Sequence, residues 1–360
     1  MEPAEFVIVG GGWRAAFFLL AARELPERFA VRGICARNPA NRQSLTAKWG
    51  VPAYATVDQL LAASNPLFAV VSLPPTVAVE VLEELTTRRI PALTETPAAA
   101  DIDGLERVNQ LTSRGGRIQV AEQYIFQPIH SARIAIAQSG LLGTISQAQV
   151  SFTHGYHGIS LIRHYLGLGF EPVKITAHRF ESPVIKGPDR AGPPVEEKVI
   201  PITQTLAWLD FGDRLGVYDF ATNQHRSYVR SDRILARGER GEINQMRVRH
   251  VVDFRTPMEF DLQRLDAGTN ANLEGYYHKA IVGAGRTWYQ NPFPGVRLAD
   301  DEIAVATALA RMADFARGGP DFYSLAAASH DQYLSLMMDK AVAEGATVEV
   351  HAQPWAKNAT

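Results

Sequence analysis

The chain has 360 residues, 46% hydrophobic and 21% charged, as expected for a globular protein too long for one ordinary core. Its formal net charge of −2 gives no electrostatic reason to expect nucleic acid or a membrane surface as a partner. The single cysteine, Cys35, excludes an internal disulfide and favours a reducing compartment. No secretory signal or membrane-spanning apolar run is recognisable, so a cytoplasmic location is expected.

The chain starts with a predicted strand, a glycine cluster and a predicted helix. The apolar run Phe6-Val7-Ile8-Val9 leads directly into Gly10, and Gly12 follows two residues later. In a nucleotide-binding βαβ unit the first glycine permits a tight turn, and the second lets the backbone approach a pyrophosphate. Ala15 fills the third position of G-x-G-x-x-G/A, where the helix packs on the strand. This segment predicts a dinucleotide site, with the phosphates at the helix N-terminus.

The first 120 residues continue to alternate strands and helices. Strands are predicted at 29–35, 68–73, 90–94 and 117–121, and helices at 39–49, 76–87 and 101–113. This alternation predicts a parallel sheet that is covered on both faces. The fold class is therefore α/β, with an N-terminal Rossmann dinucleotide-binding domain over residues 1–124.

The remainder, residues 125–360, is predicted to be an α+β domain for substrate binding and oligomerisation. A helix at 128–139 precedes longer strands at 146–153, 174–180, 198–211, 215–220 and 246–254, with a loop at 181–197 and closing helices at 300–316 and 324–344. Strands without intervening helices predict an open, mainly antiparallel sheet. A sheet face that no helix covers predicts a homodimer or homotetramer.

The residues after the second strand bear on the choice of cofactor. An acidic residue usually binds the ribose 2′-hydroxyl there, but this chain has Ala36-Arg37-Asn38. A guanidinium suits a 2′-phosphate, so NADP(H) is preferred over NAD(H). Alternatively, Arg37 is a solvated side chain and Asn38 only caps the following helix. Arg14 contacts the pyrophosphate or adenine, or is an ordinary surface side chain beside Trp13.

Several landmarks, in this order and spacing, resemble the Gfo/Idh/MocA oxidoreductase family over nearly the whole chain. These landmarks are Val9-Gly10-Gly11-Gly12, Val70-Val71-Ser72-Leu73-Pro74, Glu95-Thr96-Pro97, Phe126-Gln127-Pro128, Gly140-Leu141-Leu142-Gly143, the helix from His157 to Gly167, Asp300-Asp301-Glu302-Ile303 and Tyr323-Ser324-Leu325. The resemblance implies oxidation or reduction of a carbinol carbon in a sugar, cyclitol or related small molecule, with NAD or NADP. The cofactor positions that we assign are Gly10, Gly12, Trp13, Arg14, Arg37, Asn38, Ser72, Leu73, Pro74, Glu95, Thr96 and Gln123.

Two departures from the family pattern concern its catalytic positions. The family's Glu-Lys-Pro is Glu95-Thr96-Pro97 here, so the lysine that polarises the reacting oxygen is absent. The family's Asp-x-x-x-His aligns with Thr153 and His157, and only the histidine is retained. A carbonyl that accepts hydride needs a proton donor or a cation nearby, whereas a protonated imine or a conjugated acceptor needs less help.

The segment His154-Gly155-Tyr156-His157 is the densest cluster of titratable side chains in the chain. Histidine and tyrosine donate protons near neutral pH, so His157 is predicted as the acid, assisted by Tyr156 or His154. Alternatively, a histidine caps the following helix. A His-x-x-His metal pair is not expected, because no further ligand has a recognisable spacing.

Other positions allow both a site role and a structural role. Glu95 lies either near the nicotinamide or in backbone hydrogen bonds, and Gln123 and Tyr124 contact the cofactor or form a hinge. The aromatic stretch 288–293 is predicted as an extended loop, either a substrate wall or interdomain packing.

The sequence thus predicts an NADP(H)-dependent oxidoreductase acting on a small molecule, with His157 as proton donor or acceptor. The alternatives are a reductase of imines or conjugated double bonds, a lyase or glycosidase that uses transient redox on a bound nucleotide, and an inactive NADP(H)-binding sensor.

Overall fold

The computed structural model describes residues 2–270 and 272–358. Its strands form sheets of six, nine and three strands. The α-helices are α1 (Ala15–Glu24), α2 (Pro39–Trp49), α3 (Val57–Ala62), α4 (Pro75–Thr87), α5 (Ile102–Ser113), α6 (Pro128–Gln138), α7 (Gly155–Leu166), α8 (Asp300–Ala316) and α9 (Leu325–Glu344). Short 3₁₀ helices lie at Tyr124–Phe126, Gln224–Arg226 and Pro354–Asn358.

The first sheet is parallel, as the alternating pattern predicted. Its strands are β1 (Ala4–Val9), β2 (Phe29–Cys35), β3 (Ala53–Tyr54), β4 (Phe68–Val71), β5 (Ala92–Thr94) and β6 (Ile118–Val120). They lie in the order β3-β2-β1-β4-β5-β6, with β1 in the middle. All of β4 is buried, because helices cover both faces of the sheet. This is a Rossmann arrangement, and it confirms the predicted fold class.

Local capping residues fix several of the predicted helix ends. The Asn38 side-chain oxygen accepts hydrogen bonds from the backbone N–H groups of Ala40 and Asn41, at 2.9 and 3.2 Å, and so starts α2. Gly50 ends α2 at φ +67°, a backbone conformation that glycine adopts at little cost. Asn38 therefore has the capping role that the sequence left as an alternative.

The second sheet is mainly antiparallel, with one parallel pair, β7 and β10. Its strands are β7 (Ile145–Ser151), β8 (Val173–Ile185), β9 (Val199–Asp210), β10 (Leu215–Ala221), β11 (Arg233–Gly238), β12 (Gly241–Asn244), β13 (Arg247–Val251), β14 (Pro257–Asp261) and β18 (Val348–Val350). Helices α7 and α9 pack on its inner face. On the outer face Phe180, Leu206 and Trp208 are exposed.

The sequence-based predictions were wrong about two parts of this half. Residues 181–185 were predicted as loop, but they extend β8 and pair with β9, so the loop is confined to 186–198. The stretch 288–293 was also predicted as loop, but its first three residues belong to β17 (Arg286–Gln290). This strand pairs with β16 (His278–Gly283), which also pairs with β15 (Gln263–Asp266), to complete the third sheet.

The aromatic stretch belongs to the packing between sheets and helices. Trp288 stacks on Phe260 with ring centroids 6.4 Å apart. Phe293 is 1% exposed and shares a core with α1 and α8, while the Arg28 guanidinium lies over its ring at 5.0 Å. The packing alternative therefore describes these residues.

The two closing helices connect the halves of the molecule. Helix α8 packs against α1, and its residues Ile303 and Met312 share the Rossmann core with Phe18. Helix α9 contacts both α5 and α7, and the Asn109 side chain donates to Ser329 Oγ at 2.7 Å. The predicted boundary after residue 124 follows the sheets, while α8 returns to the first domain.

Candidate functional site

The carboxyl ends of four parallel strands meet at one edge of the first sheet. The loops at this edge follow β1, β4, β5 and β6, and they carry Gly10–Gly12, Ser72–Pro74, Glu95–Thr96 and Glu122–Gln123. In open α/β sheets ligands bind at this edge. The topology therefore gathers the predicted cofactor residues that are separate in sequence.

The glycine loop has the shape that a dinucleotide requires. Gly10 has φ +113°, and a Cβ there would lie 2.1 Å from the Ser72 carbonyl oxygen. A Cβ on Gly12 would meet no atom within 4 Å, because this residue borders open space. The loop thus packs tightly on the sheet at Gly10 and presents bare backbone at Gly12, an arrangement that fits a pyrophosphate at the N-terminus of α1.

Three cavities lie around this edge. The first-domain cavity, about 450 Å³, is lined by Gly10–Gly12, Cys35–Arg37, Asn41, Ala55–Val57, Val77 and Glu80, among others. The central cavity, about 580 Å³, is lined by Gly12–Arg14, Ser72–Pro74, Glu95, Thr96, Gln123, Tyr124, His154, Tyr156, His157, Arg190, His225, Arg226 and Asp301, among others. The sheet-side cavity, about 720 Å³, lies against β8, β9 and β10.

The first-domain cavity has the size and position for the adenosine part of a dinucleotide. Arg37 is exposed and lines it, and Asn41 donates to the Gly11 carbonyl at 3.0 Å. Arg42, which the sequence analysis did not select, donates to the carbonyls of Ala36 and Arg37. These hydrogen bonds hold the backbone that carries Arg37. The same cavity is also lined by a carboxylate, Glu80 on α4.

His157 forms a buried pair with Glu122 in the wall of the central cavity. His157 Nδ1 lies 2.5 Å from Glu122 Oε2, and the two residues are 6% and 2% exposed. Since Nδ1–H donates to the carboxylate, the Nε2 atom of His157 is the one left to exchange a proton with a ligand. Burial by itself would raise the pKa of Glu122, but His157 and the backbone N–H of Tyr124 hold it below its ordinary value.

Sequence reasoning missed Glu122. It lies two residues after the end of β6, at the same sheet edge as Glu95 after β5, and this shared edge is the signal that identifies it. Its partner lies 35 positions later, at the start of a helix in the other domain. No local motif joins the two residues, so only the three-dimensional fold shows the pair.

Tyr156 and His154 adjoin the pair at the N-terminus of α7. The Tyr156 hydroxyl donates to the Thr96 carbonyl at 3.3 Å, and its ring centroid lies 4.3 Å from that of His157. Burial raises the pKa of Tyr156 well above its usual range, so the hydroxyl stays protonated. Desolvation in the cleft, together with His157 and His225, lowers the pKa of His154 to about 4. The His154 side chain makes no capping hydrogen bond to α7.

Arg14 is directed into the site rather than towards solvent. Its Nε donates to Glu95 Oε1 at 2.7 Å, and a terminal nitrogen donates to the Gln123 side-chain oxygen. The surface alternative for Arg14 is therefore wrong. Trp13 is half exposed, and the Arg190 guanidinium from the 186–198 loop lies 4.6 Å above its ring. Ser72, Leu73, Pro74 and Thr96 line the central cavity as well.

Two further properties concern metals and membranes. Within residues 2–270 and 272–358, no group of three or more His, Cys, Asp or Glu side chains is arranged to hold a metal ion. Over the same residues, no helix combines the length and the apolar character needed to cross a membrane.

Comparison with known proteins identifies the first domain. Residues 4–123 match the model of the Gfo/Idh/MocA family, an oxidoreductase family with an NAD-binding Rossmann fold. This match confirms the resemblance seen in the landmarks of the first domain. No curated protein matches the chain.

Solved structures share the fold across both halves. Myo-inositol dehydrogenase from Corynebacterium glutamicum is 17% identical with TM-score 0.67, and the match covers 98% of this chain and 100% of that one. Levoglucosan dehydrogenase, in complex with NADH and levoglucosan, is 13% identical with TM-score 0.70, covering 97% and 100%. An oxidoreductase from Agrobacterium radiobacter, in complex with NAD+, L-tartaric acid and magnesium, is 16% identical with TM-score 0.68, covering 96% and 98%.

Proposed function

We propose that this chain, whose residues 4–123 match the Gfo/Idh/MocA oxidoreductase family with its NAD-binding Rossmann fold, is an NADP(H)-dependent oxidoreductase of small molecules. The substrate class is a sugar, a cyclitol or a related compound, bound in the central cavity. The observation that carries the proposal is that His157, held by the buried Glu122 carboxylate, lines the same cavity as Gly12 of the glycine loop. Myo-inositol and levoglucosan dehydrogenases share this fold, which supports the substrate class.

The chemistry divides between the cofactor and the protein. When bound, the nicotinamide supplies or accepts the hydride. In the direction of reduction, the substrate oxygen takes a proton from Nε2–H of doubly protonated His157 as its carbon gains the hydride. Glu122 stabilises the positive charge on the imidazolium beforehand and keeps the proton on Nδ1. In oxidation, Nε2 accepts the hydroxyl proton, so protons and electrons balance in both directions.

The residues around Thr96 support a second candidate function. The family lysine is absent, and the nearby Arg14 is already bonded to Glu95 and Gln123. Charge development on a carbonyl oxygen is therefore stabilised chiefly by the proton from His157. A protonated imine or a conjugated double bond needs less stabilisation, so reduction of such a substrate is the second candidate.

The preference for NADP(H) follows from Arg37. This side chain lines the first-domain cavity, where a carboxylate would be expected to bind the ribose of NAD. Its guanidinium suits bidentate contact with a 2′-phosphate. Two of the solved structures described above are complexes with NAD+ or NADH, so the proposed preference rests on Arg37 of this chain.

The open sheet face supports a homodimer or homotetramer. Phe180, Leu206 and Trp208 are 47%, 38% and 58% exposed on one face of β8 and β9. Large apolar side chains exposed together on one sheet face often mark an interface between subunits. Light scattering at micromolar concentration tests it, and a monomer would count against it.

Cofactor turnover tests the proposed reaction. The purified protein is mixed with NADPH and a panel of sugar ketones and cyclic imines, and NADPH absorbance is followed together with product analysis. His157→Ala should lower turnover by about 10² to 10⁴, the usual value of a positioned acid, with NADPH affinity little changed. Glu122→Gln should lower it as well, because it removes the carboxylate that favours the imidazolium.

Each outcome selects among the candidate functions. An unchanged rate in His157→Ala on every accepted substrate would remove the acid role. Product formation without net change in NADPH would indicate transient redox on bound nucleotide. NADPH binding with no turnover of any substrate would favour a sensor.

A further inference from the structure

The central and sheet-side cavities adjoin and share part of their lining, and together they make up the joined space. Five residues line both of them: His154, Tyr156, Arg190, His225 and Arg226. His157 faces the central part, and the sheet-side part extends away along β9 and β10. A ligand in this space therefore has a reacting end near His157 and a remote end against the sheet.

A short rigid turn carries Arg226 into this space. Gln224 in the turn is 6% exposed and donates to the carbonyls of Ser151 and Ser231, at 3.0 and 2.8 Å. Its side-chain oxygen accepts from the backbone N–H of Ala221 at 3.1 Å. These bonds fix the turn to β7 and β10, so the position of Arg226 does not depend on a ligand.

The 186–198 loop places Arg190 beside it. The loop packs closely on the turn at Gly187, where a Cβ would lie 2.5 Å from the Arg226 carbonyl oxygen. Asp189 and Gly192 exchange backbone hydrogen bonds of 3.0 and 3.1 Å, which makes a tight turn with Arg190 near its tip. The Asp189 carboxylate bonds the Ala191 N–H and Lys186, and does not pair with Arg190.

The charges in the joined space do not cancel. Arg14 pairs with Glu95, and Arg179 pairs with Asp339 at 2.6 Å. Among the described residues, Arg190 and Arg226 have no carboxylate partner, and Asp301 is the carboxylate that remains, accepting a hydrogen bond from Gln127. Two arginines against one carboxylate leave a net charge of +1.

We propose that Arg226 and Arg190 bind an anionic group of the substrate, a carboxylate or a phosphate monoester remote from the reacting carbon. A guanidinium presents paired N–H donors that match the oxygens of either group. An anion there would also satisfy donors that the protein leaves without an acceptor. This inference rests on the proposed function, because it takes the joined space as the substrate site.

The diphosphate of the cofactor is the competing anion. Arg190 stacks on Trp13 in the glycine loop, so it also lies within reach of the cofactor side. Arg226 lies on the sheet domain and lines the sheet-side cavity, so it is the residue that distinguishes the two anions. Every measurement is therefore made on protein saturated with NADPH as well as on protein without it.

Binding of inorganic phosphate and of acetate tests the proposal by isothermal titration calorimetry. The two probes distinguish a phosphate site from a carboxylate site. For the anion that binds, Arg226→Gln should weaken binding about 10- to 100-fold, the usual effect of removing a charged hydrogen bond, and Arg226→Lys should weaken it less. Arg230→Gln is the matched control, because Arg230 lies four residues away and lines neither part of the joined space.

The outcomes separate this inference from the proposed function. Anion binding that persists with NADPH bound and is lost only in Arg226→Gln supports the subsite, even if no redox turnover is found. Three results would each overturn the subsite. Neither probe binds at tens of millimolar, Arg226→Gln and Arg230→Gln lose equal anion affinity, or NADPH abolishes anion binding. NADPH oxidation that depends on His157 would then still support the oxidoreductase.

Discussion

The cofactor side and the substrate side of this site are built in different ways. On the cofactor side, consecutive loops at one edge of a parallel sheet supply the wall, and each follows a buried strand. On the substrate side, the start of α7, the turn at 223–227 and the 186–198 loop come together from separate parts of the second domain. The first wall follows from local sequence and strand order, whereas the second depends on packing between distant segments.

The largest expected effect is on the cofactor side, at Gly10. Gly10→Ala places a Cβ against the Ser72 carbonyl and forces alanine into a backbone conformation with φ +113°. We expect a loss of about 2–4 kcal/mol in unfolding free energy and loss of NADPH binding, because strand β1 and β4 must separate. Thermal unfolding and fluorescence titration with NADPH measure the two effects.

Gly12→Ala is the matched control for Gly10→Ala, because Gly10 is tightly packed and Gly12 is not. Its Cβ meets no protein atom within 4 Å, so stability should be unchanged while NADPH affinity still falls. Equal stability losses in both variants would contradict the distinction between a structural glycine and a glycine that faces the ligand.

The next largest effect is expected when the charge of Arg37, on the cofactor side, is reversed. Arg37→Asp replaces a partner of the 2′-phosphate with a repelling carboxylate beside the ribose, and should reverse the preference from NADPH to NADH. We expect the ratio of the dissociation constants for NADPH and NADH to change by about 100-fold or more. The attraction between Arg37 and the 2′-phosphate is lost, and a repulsion takes its place. Fluorescence titration with both cofactors measures it. Equal or tighter NADH binding by the unmodified protein would remove the argument.

The same contrast explains how much the sequence could predict. The glycine loop, the N-cap at Asn38 and the order of the first-domain elements depend on residues a few positions apart, and the structure agrees with them. The 3.0 Å contact that holds Gly11 to Asn41 already spans 30 residues, but it follows from the βαβ unit. Helix α8, in contrast, returns to pack on α1 from the far end of the chain, and no local pattern indicates this.

On the substrate side, His157 was predicted and its partner Glu122 was not. A cluster of histidine and tyrosine is visible in sequence, whereas a carboxylate in another domain becomes relevant only when α7 packs against the segment that follows β6. Arg190 and Arg226 were missed for the same reason. In the sequence each is an arginine of the kind usually found on a protein surface. They come together only because the 186–198 loop packs closely, at Gly187, on the turn that carries Arg226.

A third prediction concerns the scaffold of the substrate side and its response to pH. His330 on α9 is 1% exposed, and burial together with nearby Arg163 lowers its pKa to about 3. The unfolded chain binds a proton at this histidine near pH 6.5, and the folded chain does not, so folding stability falls as pH decreases below about 6.5. Between pH 7 and pH 5 this group should account for about 2 kcal/mol of lost stability.

Urea unfolding at both pH values tests this prediction. His330→Phe should lose less stability than the unmodified protein between pH 7 and pH 5, because the titrating group is gone. His178→Asn, at an exposed position on β8, is the matched control for replacing a histidine outside the buried core. Parallel pH curves for the unmodified protein and His330→Phe would contradict the assignment.

The smallest expected effect, and the one most informative about chemistry, is at Thr96. Thr96 lines the central cavity, and Thr96→Lys introduces the cation that the family resemblance implies for this position. If the natural substrate is a neutral carbonyl compound, the added charge stabilises the developing alkoxide, and we expect turnover to rise up to about tenfold. Thr96→Met, which has a long side chain without charge, is the matched control for steric effects. Turnover of sugar ketones and cyclic imines is measured for both variants. If the lysine variant is slower than the methionine variant on the better substrate, that substrate is a cationic imine, because the positive charge of the lysine repels it. The assigned reaction would then change from carbonyl reduction to imine reduction.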